Sequence, residues 1–347
     1  MRRIPRAHRH RTAAALTLLC ALTATTQSAA LAAPGPATLE EVRAQLDDLY
    51  HQAEVATEKY NAADEKATDQ RKKVDALNGR IKRAEQQEAR LKALLGAAAR
   101  AQYRGGGLPA EMQFALARDP EHALDDAALA ERTQQGTQDR LTALEATRKE
   151  LRTRTDQATA ELKGLRASRR AMDDNRDRIE KRIATARALE SQLKAEQLAK
   201  LARLEKQAQD KAQAKWEDTG VLDQVSTKAT PAGRKAIAYA TKQLGKPYVW
   251  GAEGPDSFDC SGLTSQAWLH AGVVIPRTSE EQWARLPHVP VSRMRPGDLI
   301  IYFSDASHVA LYLGDGKIIS APRPGRWVYV SPAGSMEILG VVRPDAG

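Results

Sequence analysis

The chain has 347 residues, 42% of them hydrophobic, and a formal net charge of +9. Five of its 53 basic residues, Arg2, Arg3, Arg6, Arg9 and Arg11, precede the first acidic one, so beyond them 48 Lys and Arg face 44 Asp and Glu. So mild and diffuse an excess suits a neighbouring anionic wall or membrane surface and sets nucleic-acid binding aside.

Residues 1–33 begin with that basic stretch, continue through an apolar run from Ala13 to Leu22, and end in Ala30-Leu31-Ala32. This order predicts a signal peptide with an A-x-A cleavage site. The apolar run is shorter than the roughly 20 residues a bilayer span needs, and no later segment approaches that length. The expectation is a protein without a transmembrane segment that is secreted, extracellular or wall-associated. Cys20 lies inside the signal after Leu19, where a lipoprotein signal would carry a small residue. Once the signal is removed, Cys260 stands alone as an inert buried thiol, a cross-link to another chain, or a reactive thiol.

Residues 34–217 are predicted to form a helical coiled-coil arm. Steps of three and four from Leu39 land on Val42, Leu46, Leu49, Ala53, Ala56, Tyr60, Ala63, Ala67, Val74, Leu77, Ile81 and Ala84, with Gln70 and Glu88 as the polar interruptions. A period of 3.5 held over many heptads specifies a left-handed coiled coil. After Arg104 a glycine run, Pro109 and Pro120 break the pattern around a short helical tip near Glu111–Ala117. A second seam then runs through Leu141, Leu144, Leu151, Ala158, Leu162, Leu165, Met172, Ile179, Ile183, Ala186 and Leu193, and continues through Leu198, Leu201 and Leu204. Two antiparallel helices and a parallel dimer both satisfy these seams. The arm reads equally as a spacer or as an element that docks a protein partner or gates the part of the chain that follows it, and the apolar stripe beyond Leu193 leads to the expectation that it restrains that part.

Residues 218–230 read as a linker, and 231–347 as one globular α+β domain, where prolines and four of the five tryptophans gather. Pro231 opens a helix that stops at Gly245, and a second helix runs from Cys260 to Gly272. Short strands follow at 299–303, 308–314, 317–321, 327–331 and 338–342, with Gly314-Asp315-Gly316 as a hairpin turn. Helices first and an antiparallel sheet second define the α+β class.

Cys260 therefore falls in the first turn of a helix, where free N–H groups and the dipole lower a thiol's pKa and can hold an oxyanion. Three histidines offer a base. His270 is ten residues along the same helix, about 15 Å away by rise. His288 sits in a proline-flanked loop and reads as a solvated surface residue. His308 begins a strand and is the candidate. No third and fourth ligand stands at usable spacing, so neither metal nor other cofactor is expected.

The stretches GKPYVWG, FDCSGLTSQAW, IPRTSEEQ, RPGDLIIYF and HVALYLGDGKIISAPRPG, in this order, resemble the papain-like NlpC-type cell-wall cysteine endopeptidases, and the arm ahead of them resembles the RipA-like actinobacterial branch. The resemblance implies Cys260 as nucleophile, His308 as base, and Tyr248, Asp259 and Ser261 as substrate-binding residues. Tyr248 and Trp250 can equally form a packed aromatic corner, and Asp259 can serve as a helix cap. Where the family usually places a histidine or another polar group twelve residues after the base, this chain has Ser320, whose hydroxyl can orient the ring without lending it charge. The implied reaction is hydrolysis of peptidoglycan stem peptides between D-glutamate and the following diamino acid. The competing reading is a catalytically weak or inactive wall-binding scaffold whose coiled coil recruits partners.

Overall fold

The computed structural model describes residues 38–104, 112 and 120–346. The predicted signal peptide, and the predicted tip apart from Met112, lie outside them. Two long helices dominate: α1 (Leu39–Arg104) and α2 (Pro120–Ser191), the second about 110 Å long at ~1.5 Å per residue. They run antiparallel. Tyr50 bonds Glu190, Ser168 bonds Gln70, and Arg148 bonds Glu88, so residue numbers fall on one helix as they rise on the other.

The predicted seam supplies the buried side of the pair, including Val42, Leu46, Leu49, Ala53, Ala56, Val74, Ile179, Ile183 and Ala186. Its two polar interruptions find partners on α2. Ser168 donates to Gln70 at 3.0 Å, and a Cβ on Gly164 would stand 2.2 Å from the Gln70 amide nitrogen, so only glycine admits that side chain. Glu88 takes Arg148. Leu141 and Leu162 do not reach the seam and remain exposed. A straight helix drifts about 20° per heptad against a 3.5 repeat, which carries some nominal seam positions to the outside.

The second seam was expected to continue as one helix; it instead breaks at residues 192–194, and a separate helix, α3 (Ala195–Glu217), follows. Leu201 of α3 stays with Leu46, Leu49, Tyr50 and Ala186 at the base of the arm. The far end of α3 lies on the globular part, where Trp216 covers Gly334 and Gln213 accepts from the Gly334 amide at 2.6 Å. Residues 218–230 do not hang free: Val221 is buried in a short 3-10 turn, and the Ser226 amide bonds the Met294 carbonyl.

The globular part holds α4 (Pro231–Thr241), α5 (Cys260–His270) and α6 (Ser279–Arg285), then a six-stranded antiparallel sheet. The strands are β1 (His288–Val289), β2 (Leu299–Tyr302), β3 (His308–Gly314), β4 (Lys317–Ser320), β5 (Tyr329–Pro332) and β6 (Ile338–Val342), in the order β1-β6-β2-β3-β4-β5. Thr230 caps α4 by accepting from the Gly233 amide, with Pro231 in the first turn, where a missing N–H costs nothing. The predicted helices and five strands are present, each within a few residues of its expected ends. Both α6 and β1 were not anticipated.

β2 and β3 are buried on both faces. On one face Ile301, Val309, Leu311 and Ile319 pack against Leu263, Ala267 and Trp268 of α5 and Ala236 and Ala240 of α4. On the other, Ile300, Tyr302, Ala310, Tyr312 and Ile318 meet Trp216 of α3. One layer of the head is thus supplied by the last helix of the arm. Continuous apolar runs, rather than alternation, are the sequence mark of such doubly covered strands.

Candidate active site

Asp259 is the N-cap of α5, accepting from the Gly262 amide at 2.6 Å, which sets Cys260 at the first helical position. Gly262 is required by the crowding of this turn, since a Cβ there would lie 2.3 Å from the Ala252 carbonyl oxygen. The Cys260 sulfur faces the start of β3, where the Val309 backbone amide hydrogen-bonds it. His308, the preceding residue, is 1% exposed. The helix start and the strand start therefore bring the thiol beside the residue adjoining the imidazole.

Asp259 is more than a cap. Its fully buried carboxylate also accepts from the Gly251 amide, from both terminal nitrogens of Arg277 at 3.0 and 2.7 Å, and from the Asn61 amide of α1 at 3.1 Å. Ser261 receives a further bond from Arg277 at 2.9 Å. Burial works against the Arg277 charge, but Asp259, Glu58 and Glu253 outweigh it and hold the guanidinium proton more firmly than usual. Arg277 lies in the quoted IPRTSEEQ stretch yet was not singled out: nothing in its local sequence says that it reaches back eighteen residues to the helix cap.

Tyr248 is buried near these groups, and its hydroxyl is pushed well up by burial, then by Cys260 and Asp259. Ser320 is buried at the end of β4. The register pairs Leu311 with Ile319, so Ser320 lies on the same sheet face as His308, diagonally rather than directly across. Among the described residues neither ring nitrogen of His308 is hydrogen-bonded, so the Ser320 hydroxyl does not hold the ring here. His270 stacks on Tyr239, and exposed His288 lies over Trp283 and bonds its carbonyl, both apart from this site.

Four residues of α1 enter the site; the sequence had marked Tyr60 only as a seam position and the other three not at all. Glu54 Oε1 stands 3.2 Å from His308 Nδ1. Glu58 Oε1 accepts from Ser261 at 2.8 Å and from the Cys260 thiol at 3.6 Å, while Oε2 accepts from the Ser279 amide at 2.7 Å. Asn61 donates to Asp259, and Tyr60 sets its ring edge-on to Trp250. Burial and Asp259 push the Glu58 carboxyl up to about 8, against the pull of Arg277.

These carboxylates reverse one expectation. A helix start lowers a thiol's pKa, yet the Cys260 thiol is raised well above its ordinary value, first by burial and then by Glu58, Asp259 and Glu54, with the Val309 amide pulling the other way. In this arrangement the sulfur keeps its proton and is a poor nucleophile. Among the described residues no cluster of His, Cys, Asp and Glu is arranged to hold a metal ion, and no helix is long and apolar enough to cross a membrane.

Comparison with known proteins matches the NlpC/P60 family to residues 245–336. A probable endopeptidase of Corynebacterium glutamicum is 43% identical over 104 residues, covering 29% of this chain and 50% of its own length. The chain spans about half the length of the first curated relatives it matches. Among solved structures, the NlpC/p60 domain of the peptidoglycan hydrolase SagA is 36% identical, covering 32% of this chain and 97% of that one with a TM-score of 0.30. The resuscitation promoting factor interacting protein RipA is 35% identical over 33% of this chain and 62% of that one, with a TM-score of 0.29. Behind its long helical arm, the chain carries an NlpC/P60 domain over residues 245–336.

Proposed function

We propose that this protein is a secreted cysteine-type peptidoglycan endopeptidase that cuts stem peptides between D-glutamate and the next diamino acid. The observation that carries the reading is the placement of Cys260 in the first turn of α5 with its sulfur on the amide of Val309, beside His308. His308 takes the thiol proton, and the thiolate attacks the scissile carbonyl carbon. The tetrahedral oxyanion lies against the free N–H groups of the helix start. Collapse to a thioester releases the amine, which His308 protonates; water, deprotonated by His308, then frees the acid and regenerates the thiol. The buried Asp259–Arg277–Ser261 network and Tyr248 form the wall on which the peptide is held.

The test is mass spectrometry of muropeptides incubated with the mature chain and with its Cys260→Ser variant. Fragments ending in D-glutamate from the first alone support the reading, and identical digests overturn it.

Ser320 has a smaller part. Ser320→Ala should lower turnover by no more than about tenfold, the scale of one neutral hydrogen bond, and Ser320→His should hold or raise it. Steady-state rates on a defined muropeptide check this; a loss of several orders in Ser320→Ala would make the hydroxyl a principal group.

A further inference from the structure

A cavity of about 1070 Å³ lies between α1, α3 and β5. It reaches Ser320, which shares a sheet face with His308, and Glu54, whose carboxylate stands 3.2 Å from His308 Nδ1. Cys260, Tyr248, Asp259 and Ser261 are not part of its wall. The cavity therefore adjoins the imidazole without being the cleft at the thiol. Pockets for single small ligands run to roughly 300–1,000 Å³, so this one suits a ligand several residues long.

Its wall carries three kinds of group. The first is apolar: Trp327, Tyr329 and Val330 are 58%, 38% and 41% exposed, and all three line the cavity. Exposed apolar side chains gathered inside a polar rim mark a contact site. The second is charge. Arg323 and Arg326 are taken by Glu205 at 3.0 and 2.6 Å, but Arg43 Nε is buried without a hydrogen-bond partner among the described residues. A buried donor without an acceptor is costly, and a carboxylate ligand relieves it. Asp47, one turn of α1 further on, lines the same wall and can receive an ammonium group.

The third is backbone. The Ala333 amide bonds the Gly316 carbonyl, and the register pairs Ile318 with Ser331 and Ser320 with Tyr329. Hydrogen-bonded pairs alternate along an antiparallel ladder, so Tyr329, Ser331 and Ala333 bond β4 while Val330 turns its N–H and C=O to the outer side. β5 is the last strand of the sheet, so that side is an open edge. It is one residue long: Val328 is already bonded to Gly245 and Lys246, and Pro332 has no N–H to give. A protein strand finds no ladder here, whereas a short peptide needs only the one exchanged pair.

We propose that this cavity is a second wall-peptide site, holding an uncut stem peptide in extended form along Val330, its carboxylate on Arg43, its amino group at Asp47 and its apolar side chains on Trp327 and Tyr329. The class of ligand is a short peptide carrying both amino and carboxylate groups, as a diamino-acid stem peptide does, and that identity rests on the peptidase reading. A peptide held beside the imidazole but outside the dyad keeps the enzyme on the polymer whose neighbouring strands it cuts.

The experiment uses the full mature chain carrying Cys260→Ser, titrated calorimetrically with a stem tetrapeptide that contains meso-diaminopimelate. Saturable binding is expected, with the Val330 amide gaining protection from hydrogen exchange. Arg43→Gln should weaken it by about tenfold or more and Val330→Pro by about fivefold, the scales of a charge-assisted and a neutral hydrogen bond. Trp327→Ala, at an exposed position, should weaken it by about fivefold or more through lost apolar contact, with circular dichroism unchanged. Absence of binding, binding that none of the three variants weakens, or protection confined to the segment around Cys260 overturns the site. Equal affinity for an all-L peptide lacking the diamino acid would make the edge a protein-docking strand, and binding of chitotriose in place of the peptide would make the rings a sugar platform; either overturns the assignment. Binding at Val330 of a peptide that the wild-type chain never cleaves would overturn the peptidase reading and leave the site standing. Cleavage of that peptide without binding at Val330 would do the reverse.

Discussion

Cys260→Ser and His308→Ala are each expected to remove muropeptide hydrolysis by several orders of magnitude while leaving the fold in place. In the proposed mechanism the sulfur forms the covalent intermediate and the imidazole moves the proton in both half-reactions, so neither loss would be made good elsewhere in the site. Parts of one catalytic unit are non-additive, and the double variant should be about as inactive as either single one. Cys260 is itself buried among Leu263, Trp268, Val309 and Leu311, so serine, which is close to it in size, leaves that packing filled, and His308 stands outside this cluster. Near-normal turnover in either variant, measured by product formation on a defined muropeptide, would sink the dyad assignment.

Arg277→Met should be the most destabilising single change in the site, by about 3–5 kcal/mol, because it removes one partner of a buried pair and strands the other. The Asp259 carboxylate is fully buried and takes two of its bonds from Arg277. Without the guanidinium it must either carry an unpaired charge or protonate, and as an acid it can no longer accept from all its present donors, the Gly251 and Gly262 amides and Asn61. The start of α5 would loosen, and with it the position of Cys260. Thermal or denaturant unfolding of the mature chain gives the measurement; a loss under 1 kcal/mol would mean that Asp259 is held by its backbone donors alone. In Arg277→Lys, a single ammonium cannot span both carboxylate oxygens as the planar guanidinium does, so only part of the stability should return.

Most of the elements, and the family of the head, were legible in local sequence. Heptad spacing depends only on which residues are apolar, so the two long helices were legible, down to Gln70 and Glu88 as the places where the seam turns polar. The glycine and proline punctuation and the apolar runs likewise marked α4, α5 and the strands from β2 to β6, because turn chemistry and strand burial are local properties. The head's motifs were short and ordered enough to identify the NlpC/P60 family. Cys260 could be placed in the first turn of α5 because a cap residue and a helix start are encoded side by side.

The contacts that join distant segments became visible only in the folded chain. Glu58 and Cys260 are 202 residues apart, and Asn61 and Asp259 are 198 apart. On a helical wheel Glu54, Thr57, Glu58 and Asn61 look like ordinary polar positions beside a seam, since spacing reports that a face is polar and not what it meets. The break at residues 192–194 was equally hidden: no proline or glycine stands there, and the packing of Trp216 on the apolar face of the sheet beyond it involves residues distant in sequence. The thiol's raised pKa follows from the same cause. A helix dipole is written in the local sequence, whereas desolvation and the field of three carboxylates exist only once the arm lies over the cleft.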